Sequence, residues 1–169
     1  MKELNKEFFS KDTLEIAKNL IGKVIEVNNF KARIIEVEAY KQDEASHAFT
    51  KTSRSQLMYE TYGHVYVYLI YGIYYCLNFT TEKNGVGAVL IRALEPLNVT
   101  DKKIYSGPGK LCKALGINKT YNGSKIGEKI KIYDDGTKFE IKNSKRIGIT
   151  KAKDLEWRFY ISRQESKLI

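Results

Sequence analysis

The chain has 169 residues, of which 43% are hydrophobic and 29% are charged. This length and composition favour one globular domain with a real core, and they exclude a disordered chain. The formal net charge of +9 favours an acidic partner, with nucleic acid ahead of an anionic membrane, although a lysine-rich proteome would produce the same balance.

Short sequence features exclude several further classes of protein. No apolar run is long enough to span a bilayer, and residues 1–6 lack a long apolar segment. We therefore expect no membrane and no secretory signal, and an intracellular protein that is cytoplasmic and nucleoid-associated if bacterial. The two cysteines, Cys76 and Cys112, stand far apart, which favours reduced thiols. With only two histidines there is no zinc-ligand spacing, so we expect no metal and no cofactor.

The N-terminal quarter is predicted to form one helix and two strands. Asp12 or Thr13 can cap a helix over residues 14–21, which Gly22 can end. Strands at 23–27 and 32–40 follow, separated by a turn. Alternation divides the end of the second strand between two faces, one with Ile35, Val37 and Ala39 and one with Glu36, Glu38 and Tyr40.

The middle of the chain is rich in strand signals. Residues 41–57 are polar and are predicted to form a loop, whereas residues 65–70 and 73–80 are apolar and aromatic. The two apolar segments meet near Tyr71-Gly72, which predicts a β-hairpin. A further strand is predicted at 88–94, after the turn signal Asn84-Gly85.

The C-terminal part is predicted to form a short helix and then strands. The helix covers residues 106–116, with Ser106 near its cap. Strand segments follow at 129–133, 139–142, 146–149 and 158–162. We therefore predict an α+β fold, a single domain over residues 1–169 with a curved, mostly antiparallel sheet, a few helices and a protruding β-hairpin.

Two carboxylates and one arginine are candidates for chemistry. A buried Glu38 at a strand end could hold and deprotonate a water, but a solvated pair with Glu36 on an edge strand is the favoured interpretation from the pattern alone. Arg92 interrupts an apolar strand and must reach water or an acid. Pairing with Glu36 or Glu38 would keep a catalytic carboxylate ionised, and a purely structural ion pair is an equal alternative.

Aromatic residues suggest a surface for nucleic-acid bases. Seven of the twelve tyrosines lie between Tyr59 and Tyr75, and every base offers a face for stacking. Tyr71, at the hairpin tip, is either a wedge between base pairs or a core tyrosine at a tighter bend. Tyr40 and His47 could enclose a base, although a histidine in a polar loop is usually solvated.

Asn78 lies in the predicted strand 73–80 and alternates with Tyr74 and Cys76. Its amide could inspect the edge of a bound base. An amide that is simply hydrogen-bonded within the sheet is the commoner case.

These segments, in this order, resemble the alkyladenine (3-methyladenine) DNA glycosylase family. The matching stretches are residues 20–22, 35–40, 43–47, 65–74, 78, 90–96 and 106–118. The resemblance implies a monofunctional glycosylase that flips alkylated or deaminated purines (3-methyladenine, 7-methylguanine, hypoxanthine, ethenoadenine) out of double-stranded DNA. It would hydrolyse their N-glycosidic bond and so start base excision repair. It also implies damaged DNA as the partner of a monomer, without a cofactor.

The resemblance carries residue roles with it. Glu38 matches the general base, and Arg92 matches the residue that helps to hold the water and the carboxylate. Tyr71 matches the wedge that fills the gap left by the flipped nucleotide. The base pocket would be formed by Tyr40, His47, Tyr68, Asn78 and Leu90, with Asn78 disfavouring guanine by crowding its 2-amino group. Charge alone suggests that DNA also contacts Lys110, Arg146 and Lys151.

Two other functions remain open from the sequence. One is a non-catalytic nucleic-acid-binding module on the same scaffold, in which Glu38 and Arg92 form a structural ion pair. The other is an RNA-directed protein, because a basic and aromatic surface suits RNA too.

Overall fold

The computed structural model describes residues 1–98, 100 and 105–162 of the chain. Three α-helices lie within these residues: α1 (Thr13–Leu20), α2 (Gln56–Glu60) and α3 (Pro108–Leu115). The strands are β1 (Lys2–Glu3), β2 (Val24–Val27), β3 (Phe30–Tyr40), β4 (Val65–Ile70), β5 (Tyr74–Thr81), β6 (Gly87–Pro96), β7 (Ile130–Asp134), β8 (Ile141–Ser144) and β9 (Arg158–Ile161). Short 3-10 turns lie at Lys6–Phe9, His47–Phe49 and Lys119–Tyr121.

These strands form one sheet, and every strand pair in the described part of the chain is antiparallel. The main path runs β1-β7-β2-β3-β6-β5-β4. Strand β2 pairs with the first half of β3, β9 pairs with its second half, and β8 pairs with β9. Strand β3 is therefore covered on both edges, and the α+β fold predicted from the sequence is confirmed.

Helix α1 forms where its capping residue and apolar spacing predict it. The side chain of Asp12 accepts a hydrogen bond from the backbone N–H of Leu14 at 3.0 Å, which satisfies one of the free N–H groups of the first turn. One face of the helix, with Ile16, Ala17 and Leu20, is buried in the core. Gly22 follows with a φ of +90°, a conformation that glycine adopts without strain.

The register between β3 and β6 shifts twice, and both shifts lie beside the candidate site. Ile34 and Glu36 of β3 face consecutive residues of β6, which leaves Ile35 as an extra residue in β3. A second shift leaves Arg92 as an extra residue in β6. Bulges of this kind redirect side chains. The first one lets Ile34 and Ile35, although adjacent, both enter the core.

The two faces of the sheet are covered differently. Helices α1 and α3 supply buried residues to the main core, which also takes Val37 and Ala39 from β3. The opposite face carries a smaller buried cluster of Ala48, Met58, Tyr66 and Ala88, to which α2 and the turn His47–Phe49 contribute. The division of β3 into two faces is thus as the alternation predicts, and the candidate site lies on the second face. None of the helices within the described ranges is long and apolar enough to cross a membrane.

Several elements differ from their prediction. The polar segment 41–57 is not only a loop, because it contains the turn at His47–Phe49 and the start of α2. Residues 146–149 form a loop rather than a strand. Helix α3 starts at Pro108, and its N-cap is Gly107 with a φ of +98° rather than Ser106. The short strand β1 had no recognisable signal in two polar residues.

Candidate active site

A single row of side chains crosses five neighbouring strands on the second face of the sheet. Tyr66 of β4 is opposite Asn78 of β5, which is opposite Leu90 of β6. Leu90 is opposite Glu38 of β3, which is opposite Arg158 of β9. Residues directly opposite one another in antiparallel strands project to the same side. Strand register thereby assembles residues that are far apart in the chain.

A cavity of about 410 Å³ opens on this face, a size typical of small-molecule sites. Seven of the eight residues predicted to form the site line the cavity: Tyr40, His47, Tyr68, Tyr71, Asn78, Leu90 and Arg92. The eighth, Glu38, is fully buried and lies behind three of the lining residues, which it contacts. The sequence motifs therefore converge on one site.

The carboxylate of Glu38 is held by three groups. Its Oε1 accepts a hydrogen bond from the Tyr40 hydroxyl at 2.8 Å, and its Oε2 accepts one from the backbone N–H of Ile147 at 2.8 Å. The Nε of Arg92 lies 3.6 Å from Oε2. Burial raises the pKa of Glu38 above its usual value, and Arg92 and the two hydrogen bonds oppose that increase. A solvated pair on an edge strand, the interpretation that the strand pattern favoured, is wrong.

Arg92 contacts both carboxylates of β3. Its Nε lies 3.4 Å from the Oε2 of Glu36 as well as 3.6 Å from that of Glu38. Glu36 is contacted in addition by Arg158, whose Nη1 donates to the same Oε2 at 2.8 Å. Two buried cations thus balance two buried anions, as buried charges require. The pairing of Arg92 that the sequence predicts is present, with both partners at once.

Uncharged aromatic rings line the cavity together with two arginines, Arg54 and Arg92. The ring centres of His47 and Tyr68 are 4.3 Å apart in an edge-to-face arrangement, and His47 Nδ1 lies 3.0 Å from the hydroxyl of Tyr66. Burial, and next the charge of Arg54, lower the pKa of His47 to about 4. Burial raises the pKa of Tyr66 to about 12. His47 is therefore an uncharged wall residue at neutral pH, not a solvated loop histidine.

Arg146 secures the loop that carries Ile147. Its guanidinium makes two contacts with the carboxylate of Asp43, at 2.7 and 3.2 Å, and donates to the carbonyl of Ala39 at 3.1 Å. It also lies over the ring of Tyr40, 4.6 Å from the centroid. Because this guanidinium is buried, the prediction that Arg146 contacts DNA is wrong.

The other two residues singled out by charge, Lys110 and Lys151, are exposed. Their contact with DNA remains a prediction.

Tyr71 occupies the tip of the β4–β5 hairpin. The N–H of Ile73 donates to the carbonyl of Ile70 at 3.1 Å, and Tyr71 and Gly72 between them have φ values of +54° and +67°. Two positive φ angles define a type I′ turn, which favours small or polar residues at the position of Tyr71. Its side chain is 66% exposed, so a core tyrosine is wrong. An exposed aromatic in a strained conformation suggests function.

Asn78 combines both interpretations that the sequence left open. Its side-chain nitrogen donates to the carbonyl of Tyr66 at 3.2 Å, so the amide is hydrogen-bonded within the sheet. The residue is buried and also lines the cavity. Its orientation is therefore fixed before any ligand enters.

The thiol of Cys76 lines the cavity but is poorly suited to be a nucleophile. Burial raises its pKa to about 11, which keeps it protonated at neutral pH. Cys112 is also buried, and both cysteines are free thiols. Within residues 1–98, 100 and 105–162, no group of three histidine, cysteine or acidic side chains is placed to hold a metal ion.

Sequence reasoning missed two residues that hold the carboxylates of β3, Arg158 at Glu36 and Ile147 at Glu38. Arg158 carries the signal that identified Arg92, an arginine in a mostly apolar strand, and could have been found in the same way. Ile147 contributes its backbone N–H, a group that every residue except proline possesses, so no sequence signal exists for it.

Comparison with known proteins agrees with this geometry. The family model described as methylpurine-DNA glycosylase matches residues 7–165. A protein of Clostridium novyi (strain NT) is 45% identical over the whole of this chain and 98% of its own length. One from Alkaliphilus oremlandii (strain OhILAs) is 43% identical over 94% of this chain and 95% of its own. Both relatives are provisionally named 3-methyladenine DNA glycosylases.

A third relative with the same provisional name, from Desulfitobacterium hafniense (strain Y51), is 39% identical over 95% of this chain and 96% of its own length. The family model and the relatives thus cover nearly the full chain, including every segment that builds the cavity. The resemblance inferred from the sequence motifs is confirmed: the chain belongs to the methylpurine-DNA glycosylase family and is a hydrolase of N-glycosyl bonds.

Proposed function

We propose that this chain is a monofunctional DNA glycosylase that takes a flipped, damaged purine into the cavity and hydrolyses its glycosidic bond with Glu38 as general base. The observation that carries the proposal is the buried Glu38 carboxylate, held by Tyr40, Arg92 and Ile147 directly behind an aromatic cavity. No lysine is among the described residues that line the cavity. A Schiff-base mechanism is therefore not expected, and the product should be an abasic site. We further propose that the enzyme is a monomer.

The chemistry needs a positioned water and a negative charge. The water attacks the anomeric carbon of the sugar, the bond to the purine nitrogen breaks, and the water proton passes to Glu38. We place this water near Oε2, because both neighbours of that atom, Arg92 and Ile147, line the cavity. The carboxylate also stabilises the positive charge that develops on the sugar as the base leaves.

The aromatic part of the wall fits a cationic purine. Alkylation at N3 or N7 gives the base a positive charge, so it leaves readily once it is bound. Uncharged His47 does not repel that charge, and the faces of Tyr40 and Tyr68 attract it. Asn78, with its amide fixed, is suited to crowd the 2-amino group of guanine. Hypoxanthine and ethenoadenine need a proton on the leaving base, so we propose that they are excised more slowly than 3-methyladenine.

The test uses end-labelled duplexes with a single 7-methylguanine, hypoxanthine or ethenoadenine, incubated with the full chain and then treated with hot alkali. We expect breaks at the lesion only after alkali. Breaks without alkali would mean strand-cleaving lyase chemistry. Absence of breaks on every duplex, with binding retained, would favour the non-catalytic module. Stronger binding to an RNA duplex of the same sequence would favour the RNA-directed alternative.

The hairpin tip provides a separate prediction, in which stability and DNA binding change in opposite directions. Asparagine tolerates a positive φ better than tyrosine, so Tyr71→Asn should raise the free energy of unfolding by about 1 kcal/mol. If Tyr71 fills the gap left by the flipped nucleotide, the same change should weaken binding to lesion-containing duplex about tenfold. Urea unfolding and fluorescence anisotropy measure the two effects.

Phe30, 53% exposed at the start of β3, supplies the control for this experiment. The change Phe30→Thr removes an exposed aromatic ring while keeping a residue that favours strands. We expect it to leave affinity for the lesion duplex unchanged. Wild-type affinity in Tyr71→Asn would show that Tyr71 is not the wedge.

A further inference from the structure

Four buried charged groups form a chain beside the cavity. It runs from Arg158 to Glu36 at 2.8 Å, from Glu36 to Arg92 at 3.4 Å and from Arg92 to Glu38 at 3.6 Å. Each of the four residues is at most 8% exposed. Of these four groups, the proposed base is Glu38, at the end of the chain.

Arg158 is anchored independently of the cavity. Its Nη2 donates to the hydroxyl of Ser144, the last residue of β8, at 2.6 Å, and its Nε donates to the carbonyl of the next residue, Lys145, at 3.3 Å. Its guanidinium also lies over the ring of Tyr160, 4.3 Å from the centroid. These contacts hold one guanidinium nitrogen against Glu36. The residue does not line the cavity and therefore is not expected to touch substrate.

Glu36 and Glu38 compete for Arg92, because one guanidinium nitrogen lies within 3.6 Å of both carboxylates. Without Arg158, Glu36 would be a buried anion with Arg92 as its remaining ion-pair partner among the described residues. A buried carboxylate attracts a nearby cation strongly, since little water screens it. Arg92 would then move its interaction toward Glu36 and away from the base.

We propose, given the function proposed above, that Arg158 is a positioning residue that neutralises Glu36 and thereby lets Arg92 stabilise Glu38 as a carboxylate. The assignment adds to the machinery a fourth charged residue, contributed by β9, the last strand of the described chain. Its influence reaches Glu38 through three ion pairs in series, by way of Glu36 and Arg92.

The other charged and titratable groups around Glu38 are accounted for. Tyr40 donates to it from its own strand, and the N–H of Ile147 donates from the loop. Tyr68 and Cys76 face it from β4 and β5 as neutral groups, because burial raises the pKa of both. Arg146 is engaged by Asp43 behind Tyr40. Arg92 pairs with both Glu36 and Glu38, whereas Arg158 pairs with Glu36 and not with Glu38.

The test is the pH dependence of the single-turnover rate on a 7-methylguanine duplex. In Arg158→Met, the acid limb of the profile should move to higher pH by at least one unit, so that the rate near pH 6 falls about tenfold while the alkaline plateau changes less. Arg158→Lys should restore part of the shift. Glu36→Gln should move the limb in the opposite direction, because Glu36 would then no longer compete with Glu38 for Arg92.

The double variant Arg158→Met/Glu36→Gln should return the limb toward the wild-type position. Arg33→Met, which removes a different arginine, on β3, that pairs with Asp135 at 2.8 Å, should leave it in place. A uniform fall in rate without a shifted limb in Arg158→Met, or an unshifted limb in Glu36→Gln, would overturn the proposal and leave Arg158 a structural residue.

A readout without substrate separates this proposal from the proposed function. The titration of the Glu38 carboxyl carbon, followed by NMR in protein labelled at glutamate, should shift in the same directions in Arg158→Met and Glu36→Gln. If the variants show these shifts but the wild-type protein is inactive, the positioning role is supported and the glycosylase mechanism is contradicted. If the wild-type protein is active but the variants show no shifts, the glycosylase mechanism is supported and the positioning role is contradicted.

Discussion

Replacing Glu38 with Gln should lower the single-turnover rate of base release by about 10²–10⁴-fold, the usual contribution of a general base. The glutamine side chain has the same size and can still accept a hydrogen bond, but it cannot take a proton from water or offset positive charge on the sugar. The cavity lining itself does not include Glu38. Affinity for the lesion duplex should therefore stay within about threefold of wild type, a difference of under 1 kcal/mol.

The wild-type rate should depend on pH in a defined direction. Only the ionised form of Glu38 can act as base, so activity is lost as pH falls through the pKa of that carboxyl in the folded protein. Burial raises this pKa above the usual value, which places the loss at higher pH than for an exposed glutamate. The slope should be that of one proton, and the Glu38→Gln variant should lack this limb in its residual rate.

A matched control keeps the sheet and changes a different carboxylate. Glu26 on β2 accepts a hydrogen bond from the Tyr133 hydroxyl at 3.0 Å and lies away from the cavity. Glu26→Gln should hydrolyse lesion duplex at the wild-type rate. Equal rates for Glu38→Gln and wild type would remove Glu38 from the mechanism and favour the structural ion pair.

Strand periodicity explains how much of the site the sequence could reveal. Alternation along β3 correctly separates Val37 and Ala39 from Glu36 and Glu38, because successive side chains of any strand point to opposite sides. The burial of both carboxylates could not be predicted in this way. It depends on β9, a segment more than a hundred residues later in the chain, pairing along the open edge of β3.

The bulge at Arg92 shows the same limit. An arginine inside an apolar strand signals a special environment, and that signal identified the residue. The direction in which its side chain points depends on a shift in register between β3 and β6. In addition, the N–H of Gly107 donates to the Arg92 carbonyl at 2.9 Å. Register and bulges arise from the whole sheet, so a local pattern does not contain them.

The loop before β9 is the part of the site that the sequence described least well. Residues 146–149 consist of an arginine followed by Ile-Gly-Ile, a pattern that is typical of a strand. In a strand, however, the N–H of Ile147 would donate to the backbone of a neighbouring strand. In the structure that N–H is used by Glu38, and Arg146 is turned inward to Asp43. At this position the backbone N–H therefore binds the proposed base instead of forming a strand pair, a departure from the local pattern that is common at functional sites.

The same charge cluster predicts a large loss of stability in Arg92→Met. Removing this cation leaves Glu36 with Arg158 and leaves Glu38 without its cation, buried at 0% exposure. Losing one partner of a buried ion pair lowers the free energy of unfolding by about 3–5 kcal/mol. Urea unfolding at pH 8 should show a loss of this size.

The sign of the pH effect distinguishes charge from packing. Burial already raises the pKa of Glu38, and without Arg92 it should rise further. A carboxyl whose pKa is higher in the folded than in the unfolded state contributes stability that is present at low pH and is lost as pH increases through the folded value. The destabilisation by Arg92→Met should therefore be smaller at pH 5 than at pH 8.

Lys51 supplies the comparison, because it pairs with Glu60 at 3.4 Å while both side chains are about half exposed. Removing a cation from such a pair should change stability by only about 0–1 kcal/mol. If Arg92→Met lost no more than Lys51→Met, the four-residue cluster would not be a strongly coupled buried network. A large loss that is the same at both pH values would mean that Arg92 matters through packing, and the assignment of Glu38 as a tuned base would lose its electrostatic support.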